Sequence, residues 1–414
     1  MAMCMLKGEW GEAMRLAEEQ RQGEEAEVYS GIVHFCRGKL AHSAEERVEH
    51  FSRALECFKD RHGLLSRYAE IEQTLARAEL AEGEERAELL ELAGDIFYEL
   101  GEGRAHFYAN AARRYAEAAE HCSSEENKAR VLLKQGRANL MHAEASRAEY
   151  ASFDLAEALE CFREAERLFR EAGEDARLCA AFQAACYGRF IPLEPEGNRE
   201  RFLRKMEALL EEALEGEALY EVCMLAGETY REVARVKKLR KRALAKALEM
   251  FERALSAALL HGTVEQVARS REAVAASLAT LAHLERRRAV ELLKRAAEEY
   301  GECMREFASV GDEASLARVS MNRGVVLREL AMLGHEPGSM LHRAIECFVR
   351  SAELFESLSY AEGVAGAKIA CSLAYANLAA HEPEREDEYR RLSEQLSQEV
   401  EPLLDKLSPK FEVG

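Results

Sequence analysis

From Ala158 the small or apolar positions are Ala158, Leu159, Phe162, Ala165, Leu168, Phe169 and Ala172, at offsets 0, 1, 4, 7, 10, 11 and 14, with Glu and Arg between them. That spacing marks one face of an α-helix. The same offsets recur from Ala247 (Leu248, Phe251, Ala254, Ala257, Ala258, His261) and from Ala344 (Ile345, Phe348, Ser351, Leu354, Phe355, Leu358). Tyrosine replaces phenylalanine in Ala111, Tyr115, Ala118, Cys122 and in Ala296, Tyr300, Cys303, Phe307, Val310, and a degenerate copy runs Phe202, Met206, Leu209, Ala213. Short strings show the same repetition: ALECF at 54–58 and 158–162, ALEMF at 247–251, AIECF at 344–348. Anchors at 54, 111, 158, 202, 247, 296 and 344 lie 57, 47, 44, 45, 49 and 48 residues apart.

Upstream of most anchors stands a second helical stretch, in which a glycine precedes a bulky residue by three: Gly94 and Phe97, Gly227 and Tyr230, Gly324 and Leu327. Each repeat therefore reads as two antiparallel helices, and the chain as an all-α array of about seven such hairpins. Small residues at offsets 0 and 7 let two helix axes approach to about 8–10 Å, with the aromatic filling the seam to the next pair. Glycine on the first helix gives up about 1 kcal/mol of helix propensity to make room for that seam. No hairpin can bury both of its faces alone, so the repeats must stack, and curvature accumulates into a superhelix with a concave surface.

The small–x3–aromatic–x2–small helix, preceded by a helix carrying glycine–x2–bulky, resembles the tetratricopeptide repeat, and the resemblance covers most of residues 24–381. It implies a right-handed superhelical solenoid. The family repeat is about 34 residues long, so a period near 47 implies longer helices, and the proline that often follows the second helix is missing. In this the chain is similar to the long-helix relatives, the SNAP-type adaptors and the peptide-sensing bacterial regulators. The resemblance also implies a peptide-binding face on the first helix of each hairpin, beside its glycine. Carried over, that face is Asp95 and Tyr98 beside Gly94, Arg137 beside Gly136, Glu228 and Arg231 beside Gly227, and Val325 and Arg328 beside Gly324. The carboxylate-clamp subgroup would need Lys-x3-Asn; here Lys134 is followed by Ala138 with Asn139 one step late, and Asn322-Arg323 is only a generic match, which argues against a chaperone-tail clamp.

Proline in GRFIPLEPEGNRE (188–200) predicts an extended interhelix loop. It divides the chain into an N-terminal lobe (1–190), a loop (191–198), a C-terminal lobe (199–380) and a polar capping helix with its tail (381–414). The segment EWGEAMRLAEEQ is expected to open the stack as a partial repeat.

Composition fits this picture: six prolines, one tryptophan and a chain rich in strong helix formers. A net charge of −19 keeps the protein soluble and argues against a whole-surface grip on nucleic acid or anionic lipid. The eleven cysteines include no CxxC pair, and Cys57, Cys161 and Cys347 each immediately precede a repeat phenylalanine. They read as small buried hydrophobes in a reducing compartment. MAMCMLKGEW lacks a signal-like pattern and no run approaches the roughly 18 apolar residues of a bilayer span, so a cytoplasmic location without a membrane partner is expected.

Local motifs for chemistry are missing: no G-x4-G-K-S/T, H-E-x2-H or G-x-S-x-G occurs, and the glycines of GEGR (101–104) read as a helix-to-helix turn. His34 with Cys36 and His121 with Cys122 lack the spacing by which helical residues share a ligand face. No catalytic residue, metal or cofactor is assigned. One run stands out: RVKKLRKR places Arg235, Lys237, Lys238, Arg240, Lys241 and Arg242 within eight residues, between the Gly227 helix and the Ala247 helix. It reads either as a polyanion grip, for RNA or an acidic peptide, with Arg286, Arg287 and Arg288 in support, or as an exposed hairpin tip neutralised by an acidic neighbour. The leading expectation is a non-enzymatic scaffold or adaptor holding an unidentified protein or peptide in its groove. Polyanion binding is the alternative, an enzyme with a site assembled across repeats comes third, and self-association is left open.

Overall fold

The computed structural model describes residues 4–5, 7–20, 26–58, 63–102, 104–146, 148–217 and 219–407. No strand occurs among them. Contacts divide the chain between Ala213 and Leu214 into two units. The first unit comprises α1 (Trp10–Glu19), α2 (Ala26–Leu40), α3 (Ala44–Phe58), α4 (Gly63–Leu80), α5 (Gly83–Glu99), α6 (Ala105–His121), α7 (Glu125–Ala145), α8 (Ala148–Ala172), α9 (Arg177–Leu193) and α10 (Glu196–Ala213). The second comprises α11 (Tyr220–Val233), α12 (Arg240–His261), α13 (Val264–Leu284), α14 (Ala289–Val310), α15 (Glu313–Met332), α16 (Pro337–Ser357), α17 (Ala361–His381), a 3-10 turn (Pro383–Arg385) and α18 (Glu386–Leu407). Within each unit every helix packs on the next in sequence, which makes each an α-solenoid of tetratricopeptide-like hairpins.

Helix ends follow capping chemistry. Ser124 accepts from the Asn127 amide at the start of α7, Asp312 accepts from the Ser315 amide at the start of α15, and Thr263 with Gln266 forms a reciprocal capping box on α13. Gly311 ends α14 at φ 73°, a left-handed conformation that costs other residues more.

The repeat glycines explain the seam. A Cβ on Gly31 would lie 2.6 Å from the ring of Phe58, on Gly94 2.6 Å from Tyr115, on Gly136 2.6 Å from Phe162 and on Gly324 2.5 Å from Phe348, while Gly227 meets Phe251 in the same way. Each glycine thus seats the aromatic of its own hairpin's second helix. On its other side, Phe162 stacks on Phe182 of α9 at 4.9 Å and 11°. The aromatic therefore fills both the hairpin and the seam to the next pair. At offset 7, Cys303 donates to the Ala268 carbonyl at 3.1 Å and Ser351 to the Ala317 carbonyl at 2.8 Å, each across to the preceding helix.

Two expectations change. The first interval is 57 residues long because it holds a further helix, α4, so that stretch is not a simple hairpin. The loop expected at 191–198 is reduced to Glu194 and Pro195: α9 continues through Pro192 to Leu193, and α10 begins at Glu196. Pro192 falls in the last turn of α9, and Pro195 stands just before α10, where no amide donor is required. The division of contacts accordingly falls one helix later than that loop. At the ends of the chain, α1 docks through Trp10, edge-on to Phe35 at 6.0 Å, and α18 packs on α17, burying Tyr389 and Val400.

Candidate binding surfaces

In the first unit the residues beside the glycines converge. The Asp95 carboxylate accepts from Tyr115 Oη at 2.7 Å and from Lys134 Nζ at 2.7 Å, joining α5 to α6 and α7. Lys134 also meets Glu91 at 2.8 Å, and Arg130 meets Glu91 at 3.1 Å. Glu91 is 7% exposed, so these two cations balance a carboxylate that would otherwise be costly to bury. Burial, reinforced by the hydrogen bond to Asp95, pushes the Tyr115 phenol well above its usual range.

Beside this network the exposed Arg137 guanidinium lies 5.7 Å from the Tyr98 ring and 5.8 Å from the Phe182 ring. Tyr98, Arg137 and Phe182 thus form a ladder across α5, α7 and α9, the first helices of three successive hairpins. Farther along α9, Arg163 of α8 donates to the Oη of the buried Tyr187 at 2.8 Å, and Lys205 Nζ of α10 stands 5.2 Å from its ring. Asp95, Tyr98 and Arg137 are therefore brought together. Glu91, Phe182 and Tyr187 were missed: Glu91 is four residues before Asp95 on the same helical face, a findable signal, whereas Phe182 lies six residues before the α9 glycine, Gly188, and Tyr187 one before it, rather than after it as Asp95, Tyr98 and Arg137 do.

The second unit differs. Glu228 and Arg231 pair with each other at 2.9 Å, and the Arg231 guanidinium lies 6.0 Å from the Phe251 ring of its own hairpin. Val325 and Arg328, half-exposed on α15, are separated from α11 by α12, α13 and α14. These four residues do not form a ladder like that of the first unit.

The basic run occupies the turn before α12 and that helix's first residues, all six side chains exposed. Part of its charge is neutralised: Arg235 pairs with Glu232 at 3.0 Å and Lys241 with Glu285 at 3.2 Å, while Arg240 Nε donates to the Ala234 carbonyl at 3.1 Å. Glu285 also meets Arg288 at 3.2 Å, and its carboxyl is held below the usual range chiefly by the Lys241 hydrogen bond. The Lys241–Glu285 pair brings the turn before α12 beside the turn before α14, where Arg286, Arg287 and Arg288 are exposed.

Among the described residues no group of His, Cys, Asp or Glu could hold a metal ion, and no helix is long and apolar enough to cross a membrane. Eight of the eleven cysteines are buried, and burial lifts the thiols of Cys161 and Cys179 to about 12.

No family model and no curated protein matches the chain. Among solved structures it is similar to a circular tandem repeat protein with novel repeat topology (19% identity, 98% of this chain and 96% of that one, TM-score 0.32). It is also similar to a Rap protein complexed with competence and sporulation factor (16%, 88% and 98%, TM-score 0.35) and to a human IFIT1 dimer with m7Gppp-AAAA (13%, 96% and 88%, TM-score 0.30).

Proposed function

We propose that the protein is a binding scaffold that holds a protein or an extended peptide on the face lined by Tyr98, Arg137 and Phe182. The supporting observation is the ladder itself: alternating aromatic and cationic side chains, at least partly open to solvent, spaced along the first helices of three successive hairpins. Such a row offers an extended chain repeated contacts for aromatic, acidic and backbone carbonyl groups. The Asp95–Lys134–Glu91 network ties α5 to α7, two of the three helices that carry the row. Affinity capture from native lysate, with nuclease present, should return a stoichiometric protein partner with the wild-type chain and lose it with Tyr98→Ala/Arg137→Glu. Retention of the same partner by that variant would refute this face as the site.

A second reading rests on the juxtaposed basic turns before α12 and α14. Exposed cations cluster there, of which Arg235, Lys241 and Arg288 are held by Glu232, Glu285 and Glu291. This edge suits a polyanion, RNA in the first instance, bound through its phosphates with a steep salt dependence. Recovery of nucleic acid without nuclease, abolished by charge reversal at Lys237, Lys238, Arg240 and Lys241 but not by the Tyr98/Arg137 variant, would favour it over the peptide reading.

A further inference from the structure

A cleft of about 390 Å³ opens in the second unit between α14 and α16, with Arg323 of α15 and Arg350 of α16 among its lining residues. Neither arginine has a carboxylate partner among the described residues, although the chain carries 76 acidic residues to 57 basic ones. Some arginines nearby are paired, Arg271 with Glu299 at 2.7 Å and Glu306 at 2.9 Å and Arg318 with Glu272, whereas Arg343, like Arg323, meets a methionine sulfur, that of Met340 at 3.9 Å. Arg323 Nε is buried with no hydrogen-bond partner, and its Nη1 meets only the Met304 sulfur at 3.8 Å, a weak acceptor. Leaving a guanidinium N–H dry and unpaired is costly, and Arg328 Nε, five residues on, is left the same way; what sets Arg323 apart is that it also lines the cleft.

Space for an acceptor is kept open by a glycine. Gly301 faces Arg323, and a Cβ there would stand 3.1 Å from Nη2 and 3.2 Å from Cζ, crowding the fork that any ligand must reach. The surrounding charge agrees with this. Burial holds the Cys347 thiol above its ordinary range and Glu346 adds to this, while Arg323, Arg343 and Arg350 each pull it the other way, which places three guanidinium groups near one point on α16. At the rim, Glu302 is paired with Arg305, and the exposed Glu298 opposes a densely charged ligand.

We propose that the α14–α16 cleft is a binding site for a small molecule bearing one oxyanion group, a carboxylate or a phosphate, received by the guanidinium forks of Arg323 and Arg350. A fork offers parallel N–H donors that match two oxygens of either group. The volume is that of a small-molecule pocket rather than of a polymer track. The site is independent of the peptide face and of the basic turns.

The test is an arginine Nε–H NMR titration of the full chain at fixed ionic strength, with sodium phosphate in one arm and sodium acetate in the other. Saturable movement of the Arg323 and Arg350 signals is expected in at least one arm, and the stronger arm identifies the oxyanion. Arg350→Gln, on an exposed side of α16, should weaken that binding about tenfold, the loss of a charge-assisted bond. Arg323→Gln should abolish it, whereas Arg323→Lys, which keeps the charge but not the fork, should retain only a weak response. Absence of saturation in both arms, equal movement of surface arginines throughout the chain, or unchanged binding in Arg350→Gln would each overturn the proposal.

Discussion

Substituting alanine for Gly324 tests the seam directly, because two opposing effects have calculable sizes. Alanine in a helix interior is favoured over glycine by about 1 kcal/mol. Against this, the new Cβ would lie 2.5, 2.8 and 2.9 Å from three ring atoms of Phe348, a side chain with 0% exposure and nowhere to retreat. Overpacking a filled core costs about 1–3 kcal/mol. The net expectation is a loss of up to about 2 kcal/mol. Gly366 in α17 supplies the control, since nothing lies within 4 Å of its built Cβ; Gly366→Ala should stabilise by up to about 1 kcal/mol. A solenoid need not unfold in one step, so the readout is native-state hydrogen exchange of α15 and α16 peptides, where Gly324→Ala should lower protection. In a Phe348→Leu background the penalty should vanish as the ring is removed. If Gly324→Ala instead raised protection as Gly366→Ala does, glycine would not be there to admit the ring, and the account of the seam would fail.

Three further outcomes follow from the same structure. Tyr115→Phe, which leaves the Asp95–Lys134 pair intact, should cost about 1–2 kcal/mol in urea titrations, whereas Lys134→Met, which strips a cation from buried Glu91, should cost about 3 kcal/mol. A native thiol assay near neutral pH should titrate rapidly no more than the three half-buried cysteines, Cys4, Cys57 and Cys122, and all eleven only after denaturation. Glu382 accepts from Tyr389 at 2.7 Å and contacts His342 at 3.0 Å, and these bonds hold its carboxyl below the ordinary 4.5. A lowered folded-state value means that the stabilisation is full above the unfolded value and lost as pH falls through the folded one. Exchange protection of α18, corrected for intrinsic rates, should therefore drop on acidification below about 4.5, and Glu382→Gln should flatten that dependence.

What could be read from the chain was whatever depends on spacing within one helix or on two adjacent helices. Ala344, Phe348 and Ser351 declare a packed face by position alone, and Gly324 marks the helix that receives it. The additional helix α4 carries no small–x3–aromatic signature, so only the long first interval hinted at it. Proline misled at 188–200, because a last-turn proline costs a helix little and the sequence alone does not say which turn is last. Residues flanking a glycine are fixed in direction by it, so the proximity of Asp95, Tyr98 and Arg137 was legible, whereas the sequence did not show that Glu228 and Arg231, three apart on one helix, pair with each other. Arg323 was visible only as a letter beside a glycine; that it lacks a partner is a property of three helices together.

The seating of each aromatic on the glycine of its own hairpin also governs how the chain can fold. The locking pairs are separated by only 21 residues (Gly94 and Tyr115) to 27 residues (Gly31 and Phe58). Closing so short a loop costs little entropy, and proteins dominated by such low-contact-order closures fold quickly. A hairpin can therefore lock soon after its second helix leaves the ribosome, well before the next repeat is synthesised, and offer the following first helix a finished surface to dock on. In this architecture the order of assembly is the order of synthesis.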